Sequence, residues 1–217
     1  MAEILAASRL VKRYGALKVT DGLCMTLEQG ELHAVIGPNG AGKTTLIHQL
    51  AGEIAPDAGT ISLRGRDITR TPVHRRALAG IGRSYQITSV FREFSVLENV
   101  MLAVQAGQGH SFRFWRPVSR DAGLAGPARA ALGRVGLGYA AGRAAGALAH
   151  GEMRQLEIAM ALAMRPEVLL LDEPMAGMSR QESAGLVDML RELKGTYSIV
   201  LVEHDMDAVF ALADRIT

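Results

Sequence analysis

The sequence predicts an α/β fold in which a mostly parallel sheet carries helices on its faces, antiparallel strands precede it, and a helical segment interrupts it. Three observations predict this. The runs "VLLLDE" and "SIVLVEH" are short and continuously apolar, as strands buried on both faces of a parallel sheet are. A helical stripe precedes each run: Leu156, Ala159, Met160 and Ala163 before the first, and Leu186, Val187, Leu190 and Leu193 before the second. The third is a glycine-rich loop, "GPNGAGKT", set between a strand-like and a helix-like segment.

In chain order, apolar alternation in "ILAASRLVKRYG" and "VTDGLCMTLEQGELHAVIG", broken by the Gln29-Gly30 turn, predicts early strands with hairpin-type connections. The last of them, "ELHAVIG", runs into the glycine-rich loop. "KTTLIHQLAG" then has helix formers, apolar Leu46, Ile47 and Leu50, and a stop at Gly52. From about Thr88 to Gly151 the alternation of strand and helix fails. "VLENVMLAVQA" and "GPARAALGRVGLG" both read as helices with no strong strand between them, and "GLGYAAGRAAGALAHG" reads as a loose return to the core. The expected organisation is a single domain over 1–217, with antiparallel strands and the loop-bearing core in 1–87, a helical subdomain in 88–151, and the rest of the core in 152–217.

The chain of 217 residues is 48% hydrophobic, enough to bury a sizeable interior. No apolar run approaches the roughly 20 residues of a membrane span, and Glu3 ahead of a very short apolar stretch is wrong for a signal peptide. A cytoplasmic location is expected. Cys24 stands alone and reads as a small core residue. The net charge of +2 gives no reason to expect a nucleic-acid partner. "HSFRFWRPVSR", residues 110–120, interleaves aromatic and arginine side chains and reads as a surface insertion near a partner or lipid headgroups, with single-strand binding the rival. His33, His48 and His74 read as strand, helix and surface positions.

The chemistry concentrates in three places. In the phosphate-loop pattern from Gly37 to Thr44, glycines let backbone N–H groups point inward on an anion and the helix start adds partial positive charge. Lys43 would reach the outer phosphates, and Thr44 would offer its hydroxyl to Mg²⁺. The fold is therefore expected to have a P-loop NTPase core. At the end of "VLLLDEP", Asp172 would organise the Mg²⁺ shell and Glu173 would polarise the attacking water. "IVLVEHDM" reads as a third strand ending at His204, where an imidazole could meet the γ-phosphate or the water. Gln86, in "GRSYQITSVF", reads from pattern alone as a polar boundary residue whose amide could reach metal or water.

Tyr14, the phosphate loop, Gln86, the segment Leu148 to Glu152, "LLLDEP" and His204 occur in an order that resembles, over essentially the whole chain, the ATP-binding subunit of an ATP-binding cassette (ABC) transporter. The resemblance implies that Gly37, Pro38, Asn39, Gly40, Ala41, Gly42, Lys43, Thr44 and Thr45 hold ATP with Mg²⁺ and that Tyr14 stacks on adenine. Gln86 would sense nucleotide and couple it to the membrane subunit. The signature Leu148, Ala149, His150, Gly151 and Glu152 would close over ATP bound by a second ATPase subunit, identical or different. "FREFSVLENV", "LAHGEMRQLEIAMAL", "DEPMAGMS" and "VEHDMDAVFALADRI" are similar to importers of branched-chain amino acids and related amides, including urea. The further partners implied are transmembrane permease subunits and, indirectly, a solute-binding protein. The protein would sit peripherally on the inner face of the cell membrane.

The chain departs from the family's usual pattern in four places: Ala149 for serine, His150 for glycine, Glu152 for glutamine, and Ser179 for aspartate. Losing one hydroxyl donor to a charged phosphate costs at most about 1.5–3 kcal/mol, and Gly151 with the helix start remains. A weakened grip on the partner's phosphate is expected, or a heterodimer in which the site this signature faces hydrolyses slowly. The chain stops at "ADRIT", where the resemblance implies a further strand and helix. Alternative readings are an ABC ATPase for another small solute, a soluble nucleotide-dependent switch in DNA repair or translation, and a P-loop kinase.

Overall fold

The computed structural model describes residues 2–84, 90–108 and 122–217, so that Gln86 and the whole 110–120 stretch lie outside the described residues. Two sheets form the frame. Strands β1 (Glu3–Tyr14), β2 (Leu17–Glu28), β4 (Ala58–Leu63) and β5 (Arg66–Asp67) make an antiparallel sheet in the order β2-β1-β4-β5. Strands β3 (Leu32–Val35), β6 (Ile81–Arg83), β7 (Val168–Asp172), β8 (Ser198–Val202) and β9 (Arg215–Ile216) make a parallel sheet in the order β6-β7-β8-β3-β9. Helix α1 (Lys43–Ala51) follows β3, and the short α2 (Val73–Leu78), not predicted from the sequence, precedes β6. Helices α3 (Val96–Gly107), α4 (Ala122–Arg134) and α5 (His150–Ala163) lie between β6 and β7 in the chain. Helices α6 (Arg180–Leu193) and α7 (Met206–Leu212) flank β8. The α/β class, the antiparallel N-terminal strands and the helical insertion agree with the sequence.

The continuous apolar runs are explained by two separate cores. In β7, Leu169 and Leu171 join the cluster built with α3, α4, α5 and α6, whereas Val168 and Leu170 join the cluster under α1 and the antiparallel sheet. Side chains alternate across a strand, so a strand covered on both faces has no position left for a polar residue. Each fully buried Val or Leu side chain contributes about 1.5–3 kcal/mol. Arg76, 1% exposed, joins α1 to α2: its guanidinium donates to the carbonyls of Gln49 (2.8 Å) and Leu50 (2.7 Å) at the end of α1, and to those of Thr71 (2.9 Å) and Thr69 (2.9 Å). These bonds satisfy carbonyls that a helix end leaves open.

Local expectations fail where pairing overrides pattern. The Gln29-Gly30 turn does not join two strands of one sheet, because β3 pairs in parallel with β8 and β9 while β2 stays with β1. Cys24 is exposed, not a core residue: the β1–β2 register shifts between Ala7 and Leu10, Arg9 takes a left-handed φ of 50°, and its N–H meets the Cys24 sulfur at 3.2 Å. Met25 takes the inward position. The third strand stops at Val202, two residues short of His204. His33 is buried in its strand, with Nδ1 3.1 Å from the Thr26 carbonyl and Nε2 2.8 Å from the Thr217 hydroxyl, and desolvation holds its pKa down.

Candidate active site

Three neighbouring parallel strands deliver the site. Val35 of β3 and Asp172 of β7 both align with Val202 of β8, so the chain leaves all three strands at one level. That edge, at the C-terminal ends of the strands, is where open α/β sheets bind ligands. The loop after β3 leads through Gly37, Pro38, Asn39, Gly40 and Ala41 to Gly42, the residue that caps α1. Gly42 has φ 92°, and a Cβ there would stand 2.6 Å from the Val19 carbonyl oxygen, so only glycine fits. Lys43, Thr44 and Thr45 form the first turn of α1, which holds no acidic residue. Lys43 is buried, its amine donating to the carbonyls of Gly37 (2.8 Å) and Pro38 (3.1 Å).

Asp172, 2% exposed, is the last residue of β7. Neither carboxylate oxygen has a hydrogen-bond partner of good geometry among the described residues. Burial pushes its pKa up, and the nearby Thr44 hydroxyl, Arg83 and His48 offset part of the rise. An orphaned buried carboxylate beside a threonine hydroxyl suits a hard cation such as Mg²⁺, which keeps most of its waters and needs few protein ligands. No group of three or more His, Cys, Asp or Glu stands at metal-binding distance among the described residues. Glu173 follows with φ 47°, in the left-handed region, and its N–H donates to the Val202 carbonyl at 2.9 Å. The next strand's exit brings His204, with its side chain 63% exposed, to the same edge.

Tyr14 closes the tip of the β1–β2 hairpin, its ring half exposed with the Lys12 amine 5.7 Å from the centroid. Val19 of the same hairpin backs Gly42, so hairpin and phosphate loop are adjacent.

The signature segment is tied down by carboxylates. Ala149 caps α5 without a side-chain bond of its own. Its N–H donates to Glu152 Oε2 at 2.7 Å, while Tyr139 Oη and Arg143 Nη1 (3.2 Å) donate to Glu152 Oε1. The Tyr139 hydroxyl, then the Ala149 N–H, hold the Glu152 pKa down. The Gly151 N–H donates to Glu182 Oε1 at 3.2 Å, and His150 Nε2 lies 3.2 Å from the Ala176 carbonyl oxygen. Ser179 caps α6 in a reciprocal box with Glu182. Its N–H, followed by its hydroxyl and the Gly151 N–H, depress the Glu182 pKa. Glu182, Tyr139 and Arg143 escaped the sequence reading, although S-x-x-E at Ser179 is a readable capping box.

The chain is similar to known proteins over most of its length. The ABC transporter family profile matches residues 20–176. The high-affinity branched-chain amino acid transport ATP-binding protein LivG of Salmonella typhimurium is 39% identical over 98% of this chain and 86% of its own. The corresponding protein BraF of Pseudomonas aeruginosa is 36% identical over the same shares. A nucleotide-free ATP-binding cassette from an ABC transporter superposes with a TM-score of 0.88 at 28% identity, covering 99% of this chain and 87% of the other. The chain is thus an ATPase of the ATP-binding cassette kind and belongs to the ABC transporter family.

Proposed function

We propose that this chain is the ATP-hydrolysing subunit of an importer for branched-chain amino acids or related small amides. It works on the inner face of the cell membrane as a pair with a second cassette, and drives permease subunits that a solute-binding protein supplies. The resemblance to LivG and BraF supports the solute class. The observation that carries the catalytic reading is the buried, unpartnered Asp172 at the strand end beside the Lys43 loop.

In this reading the amides of residues 37–45 and the Lys43 amine bind the phosphates, and Tyr14 stacks on the adenine. Thr44, Asp172 and Gln86 would hold Mg²⁺, which when bound neutralises charge on the phosphate oxygens. Glu173 orients the attacking water, and His204 donates to the transferring phosphoryl group. Leu148 to Glu152 meet the nucleotide of the partner cassette. No helix among the described residues is long and apolar enough to cross a membrane.

The engagement of the Ala149 and Gly151 amides by Glu152 and Glu182 favours a second reading of the pair as asymmetric. In that reading the site this signature faces is the slower one. The test is the ATPase rate per subunit against protein concentration, with Glu173→Gln as the blank. A rate that rises with concentration supports a working homodimer. A folded, ATP-binding protein without turnover at any concentration requires a different partner cassette, and equal turnover in Glu173→Gln overturns the role of Glu173.

A further inference from the structure

Glu203 is fully buried, yet it is a carboxylate at the rim of the catalytic edge. Its direction follows from the alternation of β8. Ile199 and Leu201 face the same cluster as Met175, and position 203 continues that face. Its two oxygens are divided between two loops. Oε1 accepts the Met175 N–H at 2.9 Å, and Oε2 accepts the N–H groups of His204 (3.0 Å) and Asp205 (3.5 Å). Met175 belongs to the turn that leaves β7 through Glu173, whereas His204 and Asp205 begin the turn that leaves β8. One side chain therefore bridges the main chains on which the two catalytic groups stand. The His204 ring lies 3.7 Å from Oε2, beyond hydrogen-bond length, so the bridge acts through the backbone.

We propose that Glu203 is a positioning residue for hydrolysis, fixing the distance between the Glu173 turn and the His204 turn without touching nucleotide. This rests on the roles proposed above for Glu173 and His204. A buried acceptor shared by two turns transmits a displacement of either one to the other, because an amide left unpaired in the interior is costly. The phosphate loop makes none of these bonds, so binding of ATP is separable from the geometry that Glu203 controls.

The experiment compares the full chain with Glu203→Gln and Glu203→Ala under conditions in which the parent turns over, measuring kcat, KM and the Kd of MgATP at a temperature well below every midpoint. Glutamine retains one oxygen acceptor and can serve one turn only, so kcat should fall about 10–100-fold with KM and Kd within about threefold. Alanine should fall further. Glu173→Gln, run in parallel, should bind ATP without hydrolysing it. Its full activity would refute the assignment of Glu173, whatever Glu203 does. Parental kcat in folded Glu203→Gln, or a rise in Kd that accounts for the whole loss of rate, would overturn the positioning role.

Discussion

Gly151 and Glu182 are in direct contact: the glycine N–H donates to the carboxylate at 3.2 Å, and a Cβ on Gly151 would lie 3.0 Å from the same oxygen. The start of α5 is thereby held to the start of α6, and a negative charge occupies the place where the proposed function puts the partner's phosphate. Replacing Glu182 by Gln keeps an oxygen for the Gly151 N–H and removes the charge. Association of the MgATP-bound subunits should tighten about 3–10-fold, as expected when a like-charge contact is relieved, and analytical ultracentrifugation would measure it. An unchanged dissociation constant would show that Glu182 does not face the partner's nucleotide.

Glu152 makes a pH-dependent contribution. Its pKa is held below the ordinary value of 4.5 by the Tyr139 hydroxyl and the Ala149 N–H, so folding favours the ionised form. The resulting stability is complete above the ordinary carboxylate range and disappears as pH falls through the depressed pKa. Glu152→Gln should lower the thermal midpoint at pH 7, and the gap to the parent should close in acid. A gap that stays constant from pH 7 to pH 3 would mean that charge has no part in it.

Asp172 has the opposite sign. Burial raises its pKa above the unfolded value, so its ionised form opposes folding at neutral pH and the penalty vanishes in acid. Asp172→Asn is expected to raise the midpoint by about 2–4 °C at pH 7.5, equivalent to roughly 1 kcal/mol, while MgATP hydrolysis is lost. Differential scanning fluorimetry across pH would test this. A lower midpoint for the Asn variant would imply that the carboxylate is satisfied by a contact outside the described residues.

Glu173 has a left-handed φ of 47°, a conformation that costs a residue with a Cβ about 1–2 kcal/mol. Glu173→Gly should therefore gain up to about 1 kcal/mol after the added flexibility of the unfolded chain, and should be inactive. Glu173→Gln should match the parent in stability and also be inactive, at 10²–10⁴-fold reduced turnover. Chemical denaturation separates the two variants. Equal midpoints would remove strain from the account.

The sequence made most of this architecture legible because the features concerned are local. "VLLLD" is buried throughout, the stripes before β7 and β8 face the core, and "GPNGAGKT" lies between strand and helix as its pattern requires. What was not legible depended on contacts distant in sequence. The exposure of Cys24 comes from a register shift opposite Arg9, and the burial of Arg76 comes from the open carbonyls of α1. Glu203 carries no signal in the sequence because the amide it binds, that of Met175, is 28 residues away. Ala149 leaves its helix without a hydroxyl cap, and the sequence could not indicate that Tyr139 and Arg143 steady Glu152 there instead.

The two cores on either side of β7 also bear on how errors in this chain would be felt. Both faces of the strand are apolar, so inserting or deleting one residue would exchange Leu for Leu or Val across the sheet and leave burial nearly intact. Position 172 has no such tolerance. It shares the parity of Val168 and Leu170, the face under α1, and a shift by one would turn the carboxylate away from Thr44 and toward the helical cluster. In this strand packing is indifferent to frame and chemistry is not, so a frame-shifted β7 would give a folded protein with its acid on the wrong side of the sheet.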